Sequence, residues 1–305
     1  RAVFLLLFLL VYVSFFFIPF NLYLSYNSNV KLKKIISQQK KRGRLNNMNK
    51  KCKIGFIGCG KMASAIIKGT ISSKFLPKEN IKGSEVNCTV AELAQSRLGI
   101  EVLTDNRFLT MDSDVIFIAT KPNYVGDVLD EIKDELTPDK LIVSIAAGVS
   151  TKKIEKIIGM HRVVRVMPNT PALVLEGMSG VCRGSYASEE DAEFVMELLS
   201  NIGKCIEVSE EQIDVVTAIS GSGPAFFYKV IEDMARAGEK LGLDYEKCLM
   251  LATQTALGSA KMVMNRGELP VQTLIDNVAT KGGCTFVGIS VMNDENSDKL
   301  FYDVI

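Results

Sequence analysis

Hydrophobic and polar positions follow two rhythms along this chain. From Lys53 the first is a series of short apolar runs separated by stretches of helical period. KIGFI reads as a strand, the alanine-rich stretch from Met62 to Ser73 as a helix, and NIKGSEV as a second strand. AELAQSRLG predicts the next helix, stopped by Gly99, and EVLTD another strand. SDVIFIAT has the continuous apolar centre expected of a strand buried on both faces of a parallel sheet. In NYVGDVLDEIKDEL the helical period returns, with Val125, Val128, Leu129 and Ile132 on one face. KLIVSIAAG and RVVRVM complete the series as buried strands. Strand and helix in alternation predict an α/β fold with a doubly wound, mostly parallel sheet.

After Val208 the second rhythm takes over. EEQIDVVTAIS is helical, and GPAFFYKVIEDMARAGEKLG carries Pro224 in a first-turn position. YEKCLMLATQTALGSAKMVM is a long helix with an apolar face, closed near Gly267. No strand signal of similar strength remains, so an all-α C-terminal domain is expected. The expected division is 48–213 for the sheet domain and 214–305 for the helical one, preceded by a segment at 1–47.

That segment has its own character. Ala2 to Phe20 carries no charge and approaches the ~20 residues that cross a bilayer. Lys31, Lys33, Lys34, Lys40, Lys41, Arg42 and Arg44 follow, which would hold the remainder on the cytoplasmic side of an inserted anchor. The alternative is a leader or an over-extended translation, since the sequence opens on Arg1 and Met48 stands just before the first strand. Asn87-Cys88-Thr89 matches the N-glycosylation pattern.

Composition narrows the chemistry. Lys and Arg total 36 against 35 Asp and Glu, a net charge of +1, so nothing points to a nucleic-acid partner. Seven scattered cysteines without a CxxC pair support neither a disulfide framework nor a zinc site, and fit a cytoplasmic, reducing compartment. The single histidine, His161, leaves little for metal or triad chemistry.

Gly58-Cys59-Gly60-Lys61-Met62-Ala63 follows the first strand and opens the first helix, which is the context a dinucleotide-binding turn requires. Gly58 permits the turn, Gly60 admits a pyrophosphate to the backbone N–H groups, and Ala63 lets helix and strand pack closely. At the end of the second strand Ser84 permits a ribose 2′-phosphate while Glu85 opposes one, leaving NADPH and NADH both open. Lys121, directly after a buried strand in ATKPN, is expected to face the cofactor crevice. SGSGPAF reads as a helix start with a serine cap. In TKGGCTF, Gly282 and Gly283 expose backbone N–H groups before a helix, a setting for a carboxylate, with the Thr285 hydroxyl beside it.

Taken in order, GFIGCGKMA, ATKP, SIAAGV, RVMPNTPA, SGSGPAF, QTALGSAK and DNVATKGGCT resemble the pyrroline-5-carboxylate reductases from about Lys53 to Met292. The resemblance implies a Rossmann-type domain and a helical domain that forms a homodimer or a higher ring of dimers. It implies reduction of 1-pyrroline-5-carboxylate to L-proline, with hydride passing from nicotinamide C4 to the imine carbon, C5 of proline. Gly58, Gly60, Lys61 and Met62 would hold the pyrophosphate, and Ser84 and Asn106 the adenosine ribose. Ala119, Lys121, Ala147 and Asn277 would hold the nicotinamide half, with Pro122 shaping the loop beside Lys121. The backbone of Gly283 to Thr285 would take the substrate carboxylate, with Ser222, Gly282 and Cys284 in the same site. Thr285, which would orient the ring nitrogen, and Lys121 are the candidate catalytic residues. Three features depart from the family pattern: Lys281 stands where a proline is usual, Cys284 where threonine or alanine is common, and SDKLFYDVI is shorter than the family's last helix, which leaves open a longer chain. The rival readings are a related imine or 3-hydroxyacid dehydrogenase, for the latter of which Lys229 would be the catalytic lysine, and a membrane-attached cofactor-binding regulator without turnover.

Overall fold

The computed structural model describes residues 52–305; the segment 1–47, with its apolar run, lies outside the described residues. One eight-stranded sheet organises the first part of the chain in the order β3-β2-β1-β4-β5-β6-β7-β8. The strands are β1 (Ile54–Ile57), β2 (Ile81–Ser84), β3 (Glu101–Leu103), β4 (Val115–Ile118), β5 (Leu141–Ser144), β6 (Arg162–Met167), β7 (Gly177–Arg183) and β8 (Gly203–Glu207). All neighbours run parallel except β6 and β7. The order reverses at β1 and β4, which places a crevice above their carboxyl ends.

Period-2 alternation in the central strands fills both faces. Val115 and Phe117 of β4 join the core on one side with Phe56, whose ring stacks on Phe117 at 4.5 Å. Ile116 and Ile118 join the opposite core with Ile57 and the Val125, Val128, Leu129 and Ile132 face. This double burial is why the strands read as unbroken apolar runs.

Helices α1 (Lys61–Ser72), α2 (Cys88–Leu98), α3 (Asn106–Met111), α4 (Val125–Ile132), α5 (Thr151–Ile158) and α6 (Glu189–Leu199) cover the sheet. Helix α2 starts earlier than its apolar period indicates because the Asn87 side chain accepts the Val90 N–H as a cap. Gly99 ends it in the left-handed region at φ 69°. Two strands extend the sheet beyond those the pattern predicts. The glycine-containing β7 pairs with β6, and the edge strand β8 is largely exposed, so neither shows a clean hydrophobic signal.

Helices occupy the remainder: a short α7 (Ile213–Val216), a π turn at Thr217–Gly221, then α8 (Gly223–Lys240), α9 (Tyr245–Met264), α10 (Val271–Val278), α11 (Cys284–Asp294) and α12 (Ser297–Val304). Pro224 sits in the first turn of α8, as its fixed φ allows. The expected serine cap is not made: Ser222 is itself in helical conformation because the π turn runs directly into α8, and its side chain caps nothing. Helices α8 and α9 pack closely where Gly238 meets the Cys248 side chain; a Cβ on Gly238 would lie 2.5 Å from Cys248 Sγ. Only Gly223 and Ala235 of α8, and Cys248 and Ala252 of α9, are buried, and α10 to α12 bury no residue.

A charged contact anchors the turn that leads into the helices. Arg165 on β6, almost wholly buried, pairs with Glu210, which also accepts from the backbone and hydroxyl of Thr151. Burial pushes the Glu210 carboxyl up, but the hydrogen bonds from Thr151 and Arg165 outweigh it and hold the group below its ordinary value.

Candidate active site

The glycine turn is held by two contacts of Gly58. Gly58 is at φ 91°, and a Cβ there would lie 2.9 Å from the Ala119 carbonyl oxygen, so strand β4 presses on the turn and only glycine fits. Its N–H donates to the Ser84 carbonyl at 3.0 Å, joining β1 to β2. Gly60 differs: its φ of −64° suits any residue, and a Cβ there would meet nothing within 4 Å. The fold therefore does not need glycine at position 60, and the open space leaves the backbone there accessible to a ligand. No side chain caps α1, so the N–H groups of Lys61 and Met62 remain open at a positive helix terminus.

Beside the turn lies a cavity of about 360 Å³, lined among others by Gly58, Ser84, Glu85, Asn106, Thr120 and Glu131. A hydrogen-bond chain crosses its floor: the Ser84 hydroxyl donates to Asn106 Oδ1 at 2.6 Å, and Asn106 Nδ2 donates to Glu131 Oε2 at 2.8 Å. Glu85 Oε1 accepts from the Cys59 N–H at 2.7 Å. Thr120 Oγ1 is buried and has no hydrogen-bond partner. An open pyrophosphate turn, a nucleoside-sized cavity and an orphaned hydroxyl together fit a dinucleotide cofactor. Burial, reinforced by the Glu85 carboxylate, pushes the Cys59 thiol up to about 12, so this cysteine packs and does no chemistry.

The structure sorts the expected residues into groups. Gly58, Ser84 and Asn106 share the cavity, and Gly60, Lys61 and Met62 form the head of α1 next to it. Ala119 bonds β1 through its N–H to the Ile57 carbonyl, and Lys121 and Pro122 follow on an exposed 3₁₀ turn. Lys121 does not line the cavity; neither do Ala147, Ser222, Asn277 and Gly282 to Thr285. Gly282, at φ 83°, and Gly283 lead into α11, whose first residues are Cys284 and Thr285. The Gly283 N–H donates to the Thr280 carbonyl at 2.9 Å, so it is already spent, leaving those of Cys284 and Thr285 at the open helix end. Thr120 and Glu131 were not indicated by the sequence. Thr120 sits inside the ATKP stretch, but nothing in the pattern marks Glu131, which reaches the cavity from a helix distant in sequence.

His161 is held between the carbonyls of Ile158 and Leu136, at 2.6 and 3.3 Å, a structural placement. Lys229 is exposed and ion-paired with Asp233 one turn along α8, at 2.6 Å, unlike a lysine enclosed for catalysis.

A parallel sheet with this turn at its switch point, followed by a helical segment, defines a dinucleotide-dependent oxidoreductase. The family description "NADP oxidoreductase coenzyme F420-dependent" matches residues 53–148, and "Pyrroline-5-carboxylate reductase dimerisation" matches residues 210–305. The pyrroline-5-carboxylate reductase of Methanosarcina acetivorans is 41% identical over 254 residues, covering 83% of this chain and 94% of the relative. That of Pisum sativum is 41% identical over 77% of this chain and 86% of its own length. Among solved structures, the Coxiella burnetii reductase superposes with a TM-score of 0.78 at 34% identity, covering 83% of this chain and 94% of that one. The Plasmodium falciparum reductase, with NADP bound, superposes at 0.74 and 33% identity, covering 83% and 94%. The chain belongs to the pyrroline-5-carboxylate reductase family.

Proposed function

We infer that this chain reduces 1-pyrroline-5-carboxylate to L-proline with NADPH or NADH. The observation that carries the reading is Gly60, a glycine the fold does not require, at the head of α1 in a chain that also bears the Thr280–Thr285 loop. The bound nicotinamide supplies hydride to the imine carbon. The nitrogen takes a proton, and the protonated imine is electrophilic enough to need no metal or histidine.

The protein's contribution is position. Gly60, Lys61 and Met62 hold the pyrophosphate through backbone N–H groups, and Ser84 and Asn106 border the adenosine side. Ala119, Lys121, Pro122, Ala147 and Asn277 frame the nicotinamide half. The free N–H groups of Cys284 and Thr285 take the substrate carboxylate at the α11 terminus, with Ser222, Gly282 and Gly283 bordering it. Lys281 adds positive charge where the anion arrives. The Thr285 hydroxyl orients the ring nitrogen and, with a water, delivers its proton.

Residues 214–305 serve as the substrate and dimerisation domain. A helical segment that buries so few residues leaves Phe227, Tyr228, Met250, Leu251, Val278 and Val287 exposed, which fits a homodimer or a ring of dimers. Among the described residues no helix is long and apolar enough to cross a membrane, and the scattered free cysteines fit a cytoplasmic compartment.

Thr285→Ala tests the role of the hydroxyl. Hydride transfer in a single turnover is expected to slow about 100-fold, within the range of general acid catalysis, with nucleotide affinity retained. A variant that transfers hydride at the normal rate contradicts the assignment.

A further inference from the structure

The adenosine end of the cavity is acidic. Glu85, Asp127 and Glu131 line it, and no Lys or Arg is among its lining residues. Two arginines in this region are committed elsewhere: Arg97 Nη2 donates to the Cys59 carbonyl at 2.6 Å, and Arg107 Nε to the Glu131 carbonyl at 3.0 Å. Two of the small polar groups at the end of β2 and the start of α3 are also committed, which leaves the buried Thr120 hydroxyl as the unpartnered one in the cavity. The Ser84 hydroxyl donates to Asn106, and the Asn106 amide donates to Glu131, so both point their hydrogens along a chain that ends on a carboxylate.

Glu85 is the fixed element. Its Oε1 is held by the N–H of Cys59, a residue with no exposed surface, and moving the carboxylate away would strand that buried donor. A carboxylate has a second oxygen, which can accept from a ribose hydroxyl. A ribose 2′-phosphate has no such hydrogen in its charged form and brings about −1.5 to −2 of further charge. Such a phosphate would meet like charge from Glu85, Asp127 and Glu131 along the same cavity.

Taking this cavity as the dinucleotide site, as proposed above, we propose that it selects NADH over NADPH, with Glu85 as the specificity-determining residue and Glu131 reinforcing it. The two acids act on the ribose substituent and not on the nicotinamide, so the preference belongs to the adenosine half alone. The Plasmodium falciparum relative was solved with NADP, so the selection is inferred from this chain's own side chains.

Direct binding tests this without turnover. The full chain is titrated with NADH and NADPH by nicotinamide fluorescence, then by calorimetry with ADP-ribose and 2′-phospho-ADP-ribose, which lack the nicotinamide. Wild type is expected to bind the unphosphorylated member of each pair at least about tenfold more tightly, the gap narrowing as salt is raised. Glu85→Gln, which keeps an acceptor for the Cys59 N–H, is expected to close most of the gap by tightening the phosphorylated member. Glu131→Gln is expected to close part of it, an independent check should the first variant fold poorly. Equal or tighter binding of NADPH by wild type, or a ratio unmoved in both variants, overturns the selectivity while leaving the nucleotide site in place. Failure to bind any of the four overturns the nucleotide site itself, and the selectivity with it.

Discussion

Gly58 and Gly60 stand two residues apart in one turn and are glycine for different reasons. Gly58 is at positive φ and touches the Ala119 carbonyl, so its requirement comes from the fold. Gly60 has ordinary dihedrals and open space, so the fold makes no such demand there, and the proposed reading gives it to a ligand. Gly58→Ala is expected to lower unfolding free energy by about 2 kcal/mol through backbone strain. Gly60→Ala is expected to cost no more than about 1 kcal/mol, the difference between glycine and alanine at a helix N-cap, while weakening nucleotide binding more than about tenfold. Urea melts and nucleotide titrations of both variants separate these effects; similar losses of stability in the two would contradict the distinction. The sequence spacing already assigned the turn to Gly58 and the pyrophosphate approach to Gly60; the contact with the Ala119 carbonyl that holds position 58 to glycine is visible only in the fold. Glu85 is similar: its position after β2 was legible, whereas its bond to the Cys59 N–H depends on how the turn is folded.

At the scale of elements, the parallel core was legible because its strands are buried on both faces and appear as unbroken apolar runs. Strands β7 and β8 were not, since glycines and an exposed edge remove that signal. Helix α3 is short and half-exposed, and α5 lies between strong strand signals that drew the reading past it. The bond between β6 and the turn that leads into the helices was hidden for a different reason: Arg165 and Glu210 are 45 residues apart and only the fold brings them together. Removing one partner leaves the other buried and uncompensated, so Glu210→Ala is expected to cost about 3 kcal/mol at pH 7. Because the folded Glu210 carboxyl is held below its ordinary value of 4.5, its contribution is complete above that pH and is lost as pH falls through the lower folded value. Urea unfolding of wild type and variant between pH 7 and pH 3 is expected to show the difference shrinking as pH falls; a constant difference would contradict the buried-pair account.

Across the whole molecule the two parts have opposite economies. The sheet domain covers both faces of its core, whereas the helical part holds its large side chains outward, in the stretch that matches the family's dimerisation region. The sequence rhythm located the change of character after Val208 but carried no sign of how little the helices bury within one chain, because an apolar helix face looks the same whether a neighbour or a partner covers it. The cavity proposed for the nucleotide is lined only by residues of the sheet side, whereas the Thr280–Thr285 loop belongs to the helical side, so the proposed reaction needs the two to cooperate. The most direct test of that account is oxidation of NADH and NADPH by the full chain in the presence of 1-pyrroline-5-carboxylate, with L-proline measured as product. The account predicts nucleotide oxidation that depends on the imine and yields one L-proline for each nucleotide consumed; tight nucleotide binding with no imine-dependent oxidation would contradict it.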